Sequence, residues 1–221
     1  MERAQLEAIL QKELAGQKDS CGRGEWTLDH CLRTAHIAVR LRQLTGKSAK
    51  LDDLIYTAGL FHDIAHDSTA HDQHEAAGAQ RTEELLKEIL PAAFLKRVTA
   101  IIAVHDDRRP NDGRDDATYL VQDADLLDHF GTARIWAEFG FAAKHGMRLE
   151  QSLSRLMLSQ RKRGLYSQIL HFDASRREIV RRLNYEAVFA ELACAESCGE
   201  FRLEESAEKG AGEDAENQCT G

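Results

Sequence analysis

Hydrophobic positions recur at three- and four-residue intervals along most of the chain, and period-two alternation is almost absent. The spacing predicts an amphipathic helix over residues 2–14 that ends near Gly16. After the loop KDSCGRGEW, Thr27 is in place to N-cap a second helix, whose stripe of Leu28, Leu32, Ala35 and Val39 stops by Gly46. Leu51, Leu54, Ile55 and Ala58 mark one face of a helix starting near Lys50, and His62 continues that face. A further helix is predicted from His74 to Leu90, closed by Pro91. Its successor presents Phe94, Val98, Ile101 and Ile102, with His105 four residues past Ile101. The turn-rich segment DDRRPNDGRDD then separates it from a helix that carries Leu120, Val121 and Ala124 together with Asp123, Asp125 and Asp128. Three more helices are predicted around residues 133–145, 149–160 and 175–195. With two prolines and little from which to build a sheet, the expected fold class is all-α.

Charge changes the picture only when divided along the chain. Residues 196–221 hold eight acids and two bases, so −6 of the net −8 belongs to this stretch and the remainder is near neutral. The expected organisation is an N-terminal helix and loop over 1–24, a main domain over 25–195, and a disordered acidic tail over 196–221. Hydrophobic residues make up 43% of the chain, yet no apolar run approaches the roughly 18 residues of a membrane span. The charged amphipathic start is unlike a signal peptide, so a soluble cytoplasmic protein without a membrane partner is expected. No sequence-specific nucleic-acid partner is expected either. Five scattered cysteines do not resemble a secreted disulfide framework, and reduced thiols are the default. The basic run Arg161–Arg163 and the pairs Arg176/Arg177 and Arg181/Arg182 read as solvated helix faces, with attraction of a phosphate-bearing ligand as the alternative.

The candidate chemistry lies in LFHDIAHDSTAHDQHE, residues 60–75, where four histidines and three aspartates follow an apolar run. A lone histidine at the end of an apolar helix is ordinarily a hydrogen-bonded core residue. Here His62, His105 and Asp125 each continue the apolar face of a separate helix, and those faces must meet in one core. Buried ionisable groups that converge need compensation. A divalent cation supplies it by neutralising carboxylates and holding imidazoles in the neutral, ligating form. Asp63, next to His62 at a helix end, can be splayed toward the same ion. Nitrogen and oxygen donors without thiolates suit Mn²⁺, Mg²⁺, Co²⁺, Fe²⁺, Ni²⁺ or Zn²⁺.

The order His30 in LDHCLRTA, His62-Asp63 in GLFHDIAH and Asp125 in VQDADLLD resembles the H…HD…D signature of the HD-domain superfamily of metal-dependent phosphohydrolases, which are all helical. The likeness covers about residues 25–145. QDADLLDHFGTARIW and KRGLYSQILHFDASRREI extend it to about residue 190, toward the small bacterial HD hydrolases of the nucleotide pyrophosphatase type. The resemblance implies that His30, His62, Asp63 and Asp125 hold one divalent ion, with two as the alternative. It implies that His74 and His105 contact the substrate phosphate or a second ion. Superfamily phosphodiesterases with a binuclear centre often read HDIGK and carry paired histidines near His105. This chain reads HDIAHD and AVHDD, which points to one ion. His66 and Asp67 are the candidate catalytic acid or base, from their nearness in sequence. Arg108, Arg109, Lys162 and Arg163 are candidate contacts for a polyphosphate, while Asp123 and Asp128 are expected as supporting partners. The expected activity is hydrolysis of a phosphoester or phosphoanhydride in a small phosphorylated substrate, a nucleotide being the leading class. A di-iron oxygenase and a non-catalytic nucleotide sensor are the alternatives.

Overall fold

Ten α-helices and one 3₁₀ turn account for the regular structure of the described residues, 2–19, 21, 25–70, 72–109 and 112–200 of a computed structural model. In chain order these are α1 (Arg3–Leu14), α2 (Trp26–Leu44), the 3₁₀ turn Ala49–Leu51, α3 (Asp52–Phe61), α4 (His74–Leu86) and α5 (Ala92–Ile102). They continue as α6 (Asp116–Asp128), α7 (Thr132–His145), α8 (Leu149–Arg161), α9 (Arg163–Ile169) and α10 (Asp173–Ser197). The expected acidic tail lies outside the described residues from position 201 onward.

Two of these helices are buried nearly all round, which sets the architecture. Every residue of α3 from Leu54 to Phe61 is buried, and α2, α5 and α6 pack against it. Such a helix has no polar face, so hydrophobic burial on all sides holds it in place. α6 is almost as deeply buried, yet it carries Gln122, Asp123, Asp125 and Asp128. At about 100° per residue, those three carboxylates leave the helix in three directions, and each needs its own partner. Asp123 accepts from the backbone N–H groups of His171 and Phe172, at 3.0 and 3.1 Å, and from His171 Nδ1 at 2.8 Å, tying α6 to the start of α10. α1 contributes Leu6, Leu10 and Leu14 to the same core. A smaller cluster of Leu153, Leu156 and Ala190 joins α8 to α10.

Three sequence-based expectations are revised. Thr27 does not cap α2: it lies inside the first turn, and its hydroxyl donates to the Asp67 carboxylate. α4 ends at Leu86, and the chain turns with the N–H groups of Ile89 and Leu90 both donating to Leu86 O, since a residue preceding proline is held out of the helical region. The seven-residue α9 was not anticipated between α8 and α10. Of the arginine pairs of α10, Arg176 is engaged locally with Asp173 and both Arg181 and Arg182 with Glu178. Cys21 and Cys31 are buried free thiols, and Cys194 and Cys198 are exposed free thiols. Among the described residues, no helix is long and apolar enough to cross a membrane.

The approach of α2 to α3 depends on Gly59. A Cβ there would lie 3.1 Å from Ala35 Cα and 3.2 Å from Ala35 N, which are backbone atoms that cannot rotate away. Gly59→Ala should therefore lower unfolding stability by about 1–3 kcal/mol in denaturant titration, the usual cost of overpacking. An unchanged midpoint would show that the two helices separate freely.

Candidate metal centre

His30 comes from the second turn of α2, His62 caps the C-terminus of α3, Asp63 follows it, and Asp125 comes from α6. All four are buried, and their donor atoms converge. His30 Nε2 is 3.1 Å from both His62 Nε2 and Asp125 Oδ1, and His62 Nε2 is 3.4 Å from Asp125 Oδ1. Asp63 Oδ2 lies 3.6 Å from each of these two imidazole nitrogens. Donors about 2.1 Å from one ion are roughly 3.0–3.4 Å apart at octahedral or tetrahedral angles, so the spacing suits a cation.

Hydrogen bonds on the far side of each ring explain why the nitrogens face inward. His62 Nδ1 donates to Gly59 O and His105 Nδ1 to Ile102 O, both at 2.8 Å and both to the carbonyl three residues back. His30 Nδ1 donates to Asp128 Oδ2 at 2.8 Å, and Asp128 is itself gripped by Arg33 through Nε and Nη2, each at 2.9 Å. A carbonyl or carboxylate only accepts, so each Nδ1 carries the hydrogen and each neutral ring turns the Nε2 lone pair to the centre. Facing lone pairs 3.1 Å apart repel unless a proton or a cation lies between them.

A second group shares one carboxylate with the first. Asp63 Oδ1 is 3.2 Å from His105 Nε2 and 3.6 Å from His74 Nε2, and the two imidazole nitrogens are 3.2 Å apart. Asp63 Oδ1 and Asp125 Oδ1 are both fully buried and lack an aligned hydrogen-bond donor despite these close nitrogens. Buried carboxylate oxygens in that condition, beside inward imidazole lone pairs, fit the donor set of a divalent metal. Without one, protons take its place. Burial opposes charge on His30, but contact with Asp125 and the hydrogen bond to Asp128 carry its pKa up to about 10. Burial likewise opposes charge on His62, and the Asp63 carboxylate raises its pKa nonetheless. Asp63 is held well below the usual carboxylate range by His62 and His105 against the effect of burial, and Asp125 by Arg108 in the same way.

The remaining candidates divide by position. His66 is 38% exposed in its side chain, with Nδ1 3.2 Å from Asp67 Oδ1 and its ring edge-on to His74 at 5.4 Å. The hydrogen bond to Asp67 raises its pKa. Asp67 Oδ2 accepts from Thr27, which anchors the loop after α3 to the start of α2. Arg108 donates to Asp125 Oδ2 and to Gln122 O, so it is committed to a member of the cluster. Arg109 pairs with Asp107 at 71% exposure. Lys162 is exposed between α8 and α9 and Arg163 opens α9; among the described residues no hydrogen bond or ion pair joins either to the cluster. His129, at the end of α6, escaped the sequence reasoning. Its Nε2 is 3.3 Å from Asp125 Oδ1 with the side chain 51% exposed, and its i,i+4 spacing from Asp125 was the available signal.

Asp128 sets the tautomer and aim of His30, so Asp128→Asn should weaken divalent-metal affinity by about 10–100-fold, the usual cost of losing such an orienting carboxylate. Isothermal titration with Mn²⁺ measures this. Affinity equal to that of the unsubstituted protein would remove Asp128 from the account.

Residues 27–130 match the family model described as HD domain. No curated protein matches the chain. Among solved structures, an HD-superfamily hydrolase from Bacillus thuringiensis is similar at TM-score 0.64 and 23% identity, over 89% of this chain and 97% of that one. Bacillus subtilis YpgQ, crystallised in complex with ADP, is similar at TM-score 0.61 and 18% identity, over 88% of this chain and 97% of its own. A predicted HD superfamily hydrolase from an uncultured Thermotogales bacterium is similar at TM-score 0.61 and 17% identity, over 88% and 92%.

Proposed function

We propose, from the match of residues 27–130 to the HD domain family model, that this chain is a metal-dependent phosphohydrolase acting on a small phosphorylated substrate of the nucleotide class. The observation that carries this is Asp125 Oδ1, a buried carboxylate oxygen with no aligned donor and two buried imidazole nitrogens within 3.4 Å. His30, His62, Asp63 and Asp125 would hold the ion. Such an ion supplies a Lewis acid for phosphoryl oxygens and lowers the pKa of water at neutral pH. The protein does the rest. Asp128 and Arg33 fix His30, the carbonyl of Gly59 fixes His62, and Arg108 steadies Asp125. His66, paired with Asp67 at the half-exposed side, is assigned to proton transfer with solvent or the leaving oxygen. His74 and His105 are assigned to the phosphate; because the Nδ1 hydrogen of His105 is given to Ile102 O, His105 donates there as an imidazolium that carries a second hydrogen on Nε2. The nucleotide class is supported by the similar fold of YpgQ, which was crystallised with ADP.

A second reading is favoured by one specific contact. Asp63 turns Oδ2 to His30 and His62 and Oδ1 to His74 and His105, the arrangement of a carboxylate shared between two ions. Two metals would then make His74 and His105 ligands rather than phosphate contacts.

Purified protein, stripped with chelator and reloaded in turn with Mn²⁺, Mg²⁺, Co²⁺, Fe²⁺, Ni²⁺ and Zn²⁺, should release phosphate or pyrophosphate from nucleoside phosphates or simple phosphoesters. Failure with every metal and every phosphorylated compound would overturn the assignment.

A further inference from the structure

His129 stands apart from the H…HD…D pattern, yet it shares the focal atom of the cluster. Its Nε2 lies 3.3 Å from Asp125 Oδ1, against 3.1 and 3.4 Å for the Nε2 atoms of His30 and His62. One ligand atom from each of His30, Asp125 and His129 falls within 4.8 Å of the others, and the His30 and His129 ring centroids are 4.8 Å apart. Three imidazole nitrogens thus surround one carboxylate oxygen that has no aligned hydrogen-bond donor. The third differs in exposure: His30 and His62 are buried, whereas half of the His129 side chain is open to solvent. It also lies at the helix terminus, with its own backbone N–H bonded to Leu127 O.

We propose that His129 is an additional, exchangeable ligand on the solvent side of the ion held by His30, His62, Asp63 and Asp125. The inference rests on reading that cluster as a metal site. An imidazole in this place fills a coordination position that a buried, purely structural site would close permanently and a fully open site would leave to water. Being half exposed, it can turn outward and yield that position to a phosphate oxygen without unpacking the core. Its contact with Asp125 also has a simpler explanation, a histidine at a helix C-terminus that meets a carboxylate one turn back without taking part in metal binding. The two explanations predict different outcomes. Removing a side chain that only meets Asp125 leaves the binding of a divalent ion no weaker, whereas removing a ligand weakens it.

Cobalt(II) titration of metal-free protein, followed by visible absorption and equilibrium dialysis, separates them. The unsubstituted protein should bind cobalt with d–d bands of a mixed nitrogen and oxygen set. His129→Ala and His129→Gln should bind it about tenfold more weakly, with those bands moved to longer wavelength as a weaker oxygen donor replaces imidazole nitrogen. Added imidazole should return the His129→Ala spectrum toward that of the unsubstituted protein. Equal or tighter binding in both variants, with unchanged bands, would overturn the role of His129 and leave the metal site standing. Absence of cobalt uptake by the unsubstituted protein would instead overturn the metal site, and the inference with it. Circular dichroism of the variants confirms that the fold is retained, as expected for an exposed side chain.

Discussion

Asp63→Ala is expected to bind no stoichiometric divalent metal and to lose hydrolytic turnover, while remaining folded. No other side chain touches so much of the site. Its two oxygens lie within 3.6 Å of four imidazole nitrogens, those of His30, His62, His74 and His105. Removing it leaves Asp125, among the described residues, as the carboxylate facing the inward Nε2 atoms, and Asp125 is already bonded to Arg108. Loss of an orienting partner alone costs about 10–100-fold in metal affinity, so loss of a direct ligand should exceed about 100-fold. Elemental analysis after gel filtration and a turnover assay at saturating metal measure the two effects, with thermal unfolding as the control. Full metal occupancy in Asp63→Ala would show that the cluster binds without its shared carboxylate.

The second large effect is expected from His105→Ala. His105 is 1% exposed and held by Ile102 O, with Nε2 directed at Asp63 Oδ1. If it serves the phosphate, as an imidazolium with hydrogens on both nitrogens, the variant keeps one ion per chain and loses about 10²–10³-fold in kcat, because a donor aimed at developing charge acts mainly in the transition state. That is the outcome expected here, in line with the single histidine of the AVHDD segment. A protein that holds two ions, of which His105→Ala loses one, would establish the second reading and make His74 and His105 ligands.

The sequence made parts of this centre visible for a physical reason. His62 and Asp125 continue apolar helical faces, and a titratable side chain on such a face can only point into the core. Their convergence with His30 and Asp63 follows from helix packing, with Gly59 allowing α3 to approach α2. What stayed hidden depends on contacts between distant segments. Thr27 has the local marks of an N-cap, but Asp67 takes its hydroxyl, and no local rule sees that partner. Arg108 reads as a candidate polyphosphate contact in a loop until the fold brings it to Asp125 and Gln122. Asp123 and Asp128 are separable only once α2 and α10 pack beside α6, since their partners are His171, just before α10, and His30 with Arg33 on α2. The helix α9 was missed because its seven residues follow α8 after a single intervening residue, Lys162, with no proline or cap to mark the break. His129 is inconspicuous in sequence because a histidine at a helix C-terminus is ordinarily placed by the helix dipole, and only its distance to Asp125 Oδ1 sets it apart.

If one cluster both binds the ion and makes hydrolysis possible, occupancy and turnover must rise together. Chelator-stripped protein titrated with Mn²⁺ gives both in one experiment, with bound ion counted by electron paramagnetic resonance and phosphate release measured in the same samples against a nucleoside triphosphate. The account predicts negligible turnover without metal and a rate that climbs in proportion to occupancy, reaching its plateau when the cluster is filled. Turnover that survives complete removal of metal would contradict it. So would an iron-loaded protein that consumes oxygen through a mixed-valent pair while hydrolysing no phosphorylated compound.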